Sequence, residues 1–224
     1  MSNILIVAPH PDDETLGCGG TIAKAVARGD SVYWLIVTCM EEGVGFSKNQ
    51  IEKRRLEIQQ INRLYQFKDM IQLNFPAANL NEGNKGKLIE QVGDFVDRLK
   101  IHTIYLPYKN DIHSDHKFVY EAIIAVSKWF RHKSVKRILC YETVSETNFS
   151  SNGIGEAFSP NVYEDITSTL NDKLLAMNVY SSEIGEHPFP RSIEAIKALA
   201  VLRGSECGCI YAEAFMLLKE IIDE

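Results

Sequence analysis

An apolar run, Ile4-Leu5-Ile6-Val7-Ala8, ends at Pro9 and is followed at once by His10-Pro11-Asp12-Asp13-Glu14. A continuous apolar stretch of this length predicts a strand covered on both faces, and so a parallel sheet with helices above and below it. The acidic end restricts the chain further. Three adjacent carboxylates repel one another, and none is buried without a partner. A divalent cation at the strand end removes that conflict, which makes His10 to Glu14 half of a candidate metal site.

The remaining sequence repeats the strand-then-helix pattern. Strands are predicted over 3–8, 32–39, 71–75, 103–107 and 136–142. Helices are predicted over 21–28, 49–65, 88–100, 172–181 and 192–203, with one more marked by Val119, Ala122, Ile123, Val126 and Phe130. The segment 145–161 is rich in Ser, Asn and Gly and reads as a long functional loop, and 211–218 reads as either strand or helix. Alternating strands and helices predict an α/β fold, a mostly parallel sheet with helices on both faces. Its functional residues are expected at the carboxyl ends of strands, where 10–14 and 111–116 both fall. One domain over 1–224 is expected, with 1–143 as the sheet core and 144–224 as pocket loop and C-terminal helices.

Composition narrows the partners. A net charge of −6 gives no reason to expect nucleic acid or an acidic membrane surface. The cluster Lys128, Arg131, Lys133, Lys136 and Arg137 reads as a solvated helix end and loop. No apolar run approaches the roughly 20 residues of a membrane span, and no charged leader opens the sequence. The five cysteines lack disulfide-framework spacing, and Cys18, Cys39 and Cys140, in or beside apolar segments, suit buried thiols in a reducing cytoplasm. Cys207-Gly208-Cys209 has one intervening residue, where redox and metal pairs usually have two.

The chemistry is carried by two short segments. His10, Asp13 and His116 form a two-histidine, one-carboxylate set suited to a catalytic Zn²⁺ with an open position for water. Asp12 is then left beside the metal as a general base. His113, three residues before His116, could as imidazolium stabilise an oxyanion and protonate a departing amine, with Asp115 holding its tautomer. Glu14 reads as a helix cap or as a partner of a metal ligand. Two other chemistries fit the same letters. His10-x-Asp12 with His116 is the pattern of a non-haem Fe²⁺ oxygenase, and Gly17-Cys18-Gly19-Gly20 could cradle a phosphate.

His10-Pro11-Asp12-Asp13-Glu14 together with His113-Ser114-Asp115-His116 resembles the PIG-L/LmbE family of zinc-dependent de-N-acetylases, over Ile4 to about Phe215. The resemblance implies a three-layer Rossmann-like domain. It also implies zinc on His10, Asp13 and His116, Asp12 as base, and His113 as electrophilic or acid partner oriented by Asp115. Another divalent metal such as Fe²⁺ would suit the same ligands. Arg54-x-x-Glu57 matches a family Arg-x-x-Glu, with Arg55 as an alternative register. It either offers a positive charge to substrate or forms a surface i,i+3 pair. Arg203-Gly204 and Tyr211 to Phe215 resemble the family segment that closes over the pocket. Phe75 to Leu80 and Tyr180 to Glu183 depart from the family pattern. The stretches 141–147 and 188–192 resemble a subgroup linked to bacterial surface-sugar pathways, which implies Glu142, Glu146 and Arg191 in sugar recognition. The implied activity is removal of acetyl from an N-acetylated amino sugar of the N-acetylglucosamine type, carried on a nucleotide, lipid or small aglycone. A non-catalytic sugar-binding protein is the other reading, and a homo-oligomer is left open.

Overall fold

The computed structural model describes residues 1–43, 45–150 and 157–222. Among them the elements run β1 (Asn3–Ala8), α1 (Asp13–Ala27), β2 (Ser31–Cys39), α2 (Lys48–Tyr65), β3 (Asp69–Pro76), α3 (Glu82–Leu99), β4 (Thr103–Pro107), α4 (Ser114–Val126), β5 (Arg137–Tyr141), β6 (Val162–Asp165), α5 (Leu170–Val179), α6 (Ile193–Cys207) and β7 (Ala212–Glu220). The strands form one sheet in the order β3-β2-β1-β4-β5-β7-β6. The first five in sequence pair in parallel, β7 lies antiparallel to β5, and β6 antiparallel to β7.

The continuous apolar strands are covered on both faces, as the α/β reading requires. In β1, Ile4, Ile6 and Ala8 join the core with Ile22 of α1, Ile58 and Ile61 of α2, Met177 of α5 and Ile196 of α6. Leu5 and Val7 face the other way, onto Val92 and Phe95 of α3 and Val119 and Ile123 of α4. Strand order reverses at β1, which has β2 on one side and β4 on the other. The carboxyl ends of β1 and β4 therefore meet at the switch point of the sheet, where such folds bind ligands.

Several expected boundaries move. Helix α1 begins at Asp13 rather than at 21, and Gly17, Gly19 and Gly20 are inside it. Glycine weakens a helix by propensity, which hid this start, but here it permits close packing. A Cβ on Gly17 would stand 2.3 Å from the Tyr141 ring, and one on Gly20 2.7 Å from Ile166. The glycines thus hold the helix against β5 and the segment before α5, and the phosphate-cradle reading is overturned. Helix α3 starts six residues early, at Glu82, because Asn81 caps it through the Gly83 N–H at 2.9 Å. Residues 212–220 are a strand, and β6 was not anticipated. Of the expected 145–161 loop, residues 151–156 lie outside the described residues. No helix among the described residues is long and apolar enough to cross a membrane.

Candidate active site

The turn from β1 into α1 is fixed at nearly every polar backbone group. Pro9's carbonyl accepts from the Thr38 N–H and hydroxyl at 3.1 and 2.8 Å. Pro11's carbonyl accepts from Arg54. Asp12 adopts φ 140°, a conformation strained for any residue with a side chain. Its N–H donates to Glu14 Oε2 at 3.1 Å. Glu14 is fully buried and also accepts from the Thr15 and Tyr180 hydroxyls at 2.6 and 2.8 Å. Glu14 is therefore the clamp on the strained Asp12 peptide.

That turn and the start of α4 bring Asp13 between two histidines. Asp13 Oδ2 lies 3.4 Å from His10 Nδ1 and 3.3 Å from His116 Nε2. Each ring has its far nitrogen on a buried carboxylate. His10 Nε2 is 3.0 Å from Asp115 Oδ2, and His116 Nδ1 is 2.7 Å from Asp111 Oδ2. Asp111 is itself held by the Thr147 hydroxyl at 2.6 Å. Such pairing fixes both tautomers and leaves one nitrogen of each ring facing Asp13, the arrangement that orients metal-binding imidazoles. Burial opposes a charge on His10, but its hydrogen bonds to the Asp115 and Asp13 carboxylates raise its pKa to about 9. His116 is raised well above the ordinary range against the same burial penalty, by Asp13 and Asp111. A nest that favours positive charge so strongly fits a cation, and His10, Asp13 and His116 have the donor set of a catalytic zinc site.

Asp12 does not share this cluster. Its carboxylate accepts from Arg191 Nη1 at 2.8 Å. Burial and the adjacent Asp13 push it up to about 8, against the pull of Arg191 and Arg54. The His10-x-Asp12…His116 triad of the oxygenase reading is therefore not assembled, since Asp13 supplies the carboxylate between the rings.

His113 stacks edge-on to His10 with centroids 4.4 Å apart, and its expected partner needs correction. The group on His113 Nδ1 is the backbone N–H of Asp115, at 3.1 Å, because His113 caps α4. The Asp115 carboxylate is held instead by His10 and the N–H groups of Ala78 and Leu80, at 2.7 and 3.3 Å from the latter two. A ring that accepts at Nδ1 carries its proton on Nε2. Burial and the neighbouring His10 push His113 down to about 4, so it presents a neutral N–H rather than the expected imidazolium.

His10, Asp12 and His113 line a cavity of about 260 Å³ with Cys39, Met40, Phe46, Ala77, Ala78 and Gln72. Arg54, Glu146, Glu183 and Arg191 complete its wall. Arg54 does not present a free charge. It donates to Pro11, to Ser182 at 3.2 Å and to Glu183, and its Nε pairs with Glu57 at 3.1 Å. Arg191 bridges Asp12, Glu183, Glu146 and Ser145. Glu142, expected at the sugar, lies outside this lining and is paired through both oxygens with Arg203 at 2.7 and 2.8 Å. Sequence reasoning missed Asp111 and Glu183 as site residues. For Asp111 there was a signal, a carboxylate five residues ahead of a ligand-type histidine at a strand end; for Glu183 there was none.

The family description PIG-L, GlcNAc-PI de-N-acetylase, matches residues 5–127, more than half of the chain. Diacetylchitobiose deacetylase of Thermococcus kodakarensis is 22% identical over 230 residues, covering 99% of this chain and 85% of that protein. A probable N-acetyl-alpha-D-glucosaminyl L-malate deacetylase 2 of Bacillus cereus is 24% identical, covering 81% and 83%. The solved structure of the conserved protein TT1542 from Thermus thermophilus superposes with a TM-score of 0.78 at 26% identity, covering 100% of this chain and 98% of that one. With its HPDDE turn and second histidine pair on the switch point of such a sheet, this chain belongs to the PIG-L (LmbE-like) family of de-N-acetylases.

Proposed function

We propose that this chain is a metal-dependent hydrolase that removes the acetyl group from an N-acetylated amino sugar. Its ligands are His10, Asp13 and His116, and zinc suits two imidazoles and one carboxylate. The observation that carries the reading is the geometry around Asp13. One oxygen stands beside both imidazoles, each pinned by its own buried carboxylate, while Asp12 faces the same cavity on a separate side.

When bound, the metal supplies a Lewis acid for the acetyl oxygen and lowers the pKa of water toward about 7. Asp12, kept basic by burial and by Asp13, takes the proton of the attacking water and returns it to the departing nitrogen. His113 Nε2–H stabilises charge growing on the acetyl oxygen. The 144–224 part closes the cavity of this single domain through Glu146, Glu183 and Arg191. A reducing cytoplasm suits Cys207 and Cys209, whose Sγ atoms stand 3.2 Å apart as thiols.

Metal analysis of the purified protein, followed by acetate release from a panel of N-acetylhexosamines, tests the reading. One tightly held ion per chain and acetate from at least one sugar are expected. Sugar binding without acetate from the metal-loaded protein would replace the enzyme with a binding protein.

A further inference from the structure

Cys207 and Cys209 lie at the turn from α6 into β7, and neither lines the catalytic cavity. In a helix, residues two apart point away from each other, so Cys-x-Cys alone does not bring two sulfurs together. Here the helix ends between them. Cys207 is the last residue of α6, and Gly208 follows at φ 81°, the left-handed conformation that turns a chain off a helix and favours glycine. The N–H groups of Gly208 and Cys209 both donate to the Gly204 carbonyl, at 2.9 and 3.0 Å. The returning backbone packs so closely on Gly204 that a Cβ there would stand 2.7 Å from the Cys209 carbonyl oxygen. The turn is therefore fixed by backbone contacts and does not depend on the sulfurs it carries.

That turn sets the two Sγ atoms 3.2 Å apart, in hydrogen-bond contact. All five cysteines are free thiols, and Cys207 is exposed while Cys209 is partly so. The Cys207 thiol also reaches back to the Arg203 and Gly204 carbonyls, at 3.4 and 3.6 Å. Among the described residues no third histidine, cysteine or carboxylate joins the pair, so a metal site of three protein ligands is not assembled there. A disulfide, at about 2.05 Å, requires the sulfurs to close by only about 1.1 Å. A bridge across one residue gains little from loop closure and stays accessible, which makes it reducible and exchangeable.

We propose that Cys207 and Cys209 form a second reactive site, a dithiol that exchanges with low-molecular-weight disulfides such as glutathione disulfide. The more exposed Cys207, as thiolate, attacks one sulfur of glutathione disulfide, forming a mixed disulfide and releasing one glutathione thiolate. Cys209 gives up its proton to solvent and attacks the Cys207 sulfur, closing the internal bond and releasing the second glutathione. The protein loses two electrons and two protons, and the oxidant takes up both as two thiols. The site is independent of deacetylation.

The test equilibrates the reduced chain with mixtures of glutathione and glutathione disulfide, quenches with acid, alkylates the remaining thiols and digests with trypsin. Cleavage after Arg203 and Lys219 gives one peptide that holds both cysteines and no other. In wild type that peptide is expected to lose two hydrogens, to resist alkylation and to carry no glutathione. Cys207→Ser and Cys209→Ser are each expected to retain one glutathione on the remaining sulfur. Because the fold holds the sulfurs together, the equilibrium constant for the internal bond should be at least about tenfold higher in the native chain than in urea. Glutathione retained on the wild-type peptide, a disulfide joining two chains, or equal constants with and without urea overturns the inference.

Discussion

The turn at the ends of β1 and β4 and the wall facing it both gather carboxylates, and they neutralise them differently. At the turn, Asp13, Asp111 and Asp115 surround two histidines and raise their affinity for positive charge. On the wall, Arg54 and Arg191 sit among Asp12, Glu146 and Glu183 and are saturated by them. The first arrangement calls for a cation from outside the chain. The second uses both guanidinium groups within the wall itself. The contrast separates the residues that would hold a metal from the paired charges that line the cavity beside them.

The sharpest way to break this division is to remove a ligand. His116→Ala is expected to lose the metal and to lower acetate release by at least about a thousandfold, read by metal analysis and product assay together. Asp12→Asn should keep the metal and lose about 10²–10⁴-fold in kcat, the range for a missing general base; full turnover in that variant would move the base elsewhere. Asp111→Asn leaves the three ligands intact but loosens the His116 ring. A loss of about 10–100-fold in metal affinity is expected from competition with a chelator. The smallest functional effect belongs to Arg203→Met, which breaks the Glu142 pair outside the cavity. It should cost about 1–3 kcal/mol in denaturant unfolding and leave kcat/KM within about twofold. A large activity loss there would return Glu142 to the sugar.

Most of the turn was legible in the sequence, and most of the wall was not. Apolar strands of fixed length place 10–14 and 111–116 on one sheet edge whatever the side-chain details. His10, Asp13 and His116 follow from residue type and spacing. The partner of Asp115 was hidden because His113 itself caps α4 and turns the Asp115 N–H, not its carboxylate, toward the His113 ring. The wall depends on contacts such as Arg54 with Glu183 and Arg191 with Asp12, which join residues far apart in sequence through loops. Periodicity carries no information about those loops. The two segments that depart from the family pattern are among them. Ala78 and Leu80 hold Asp115, while Tyr180, Ser182 and Glu183 hold Glu14 and Arg54.

The central claim is that one ion, held by His10, Asp13 and His116, is required for acetate release from an amino sugar. Titrating Zn²⁺ into chelator-stripped protein, with acetate release from diacetylchitobiose or another responsive N-acetyl sugar as the signal, tests it most directly. Activity should rise linearly and break at one ion per chain, with Asp13→Asn showing neither tight binding nor product. Full turnover in the stripped protein, or wild-type activity in Asp13→Asn, would contradict the account.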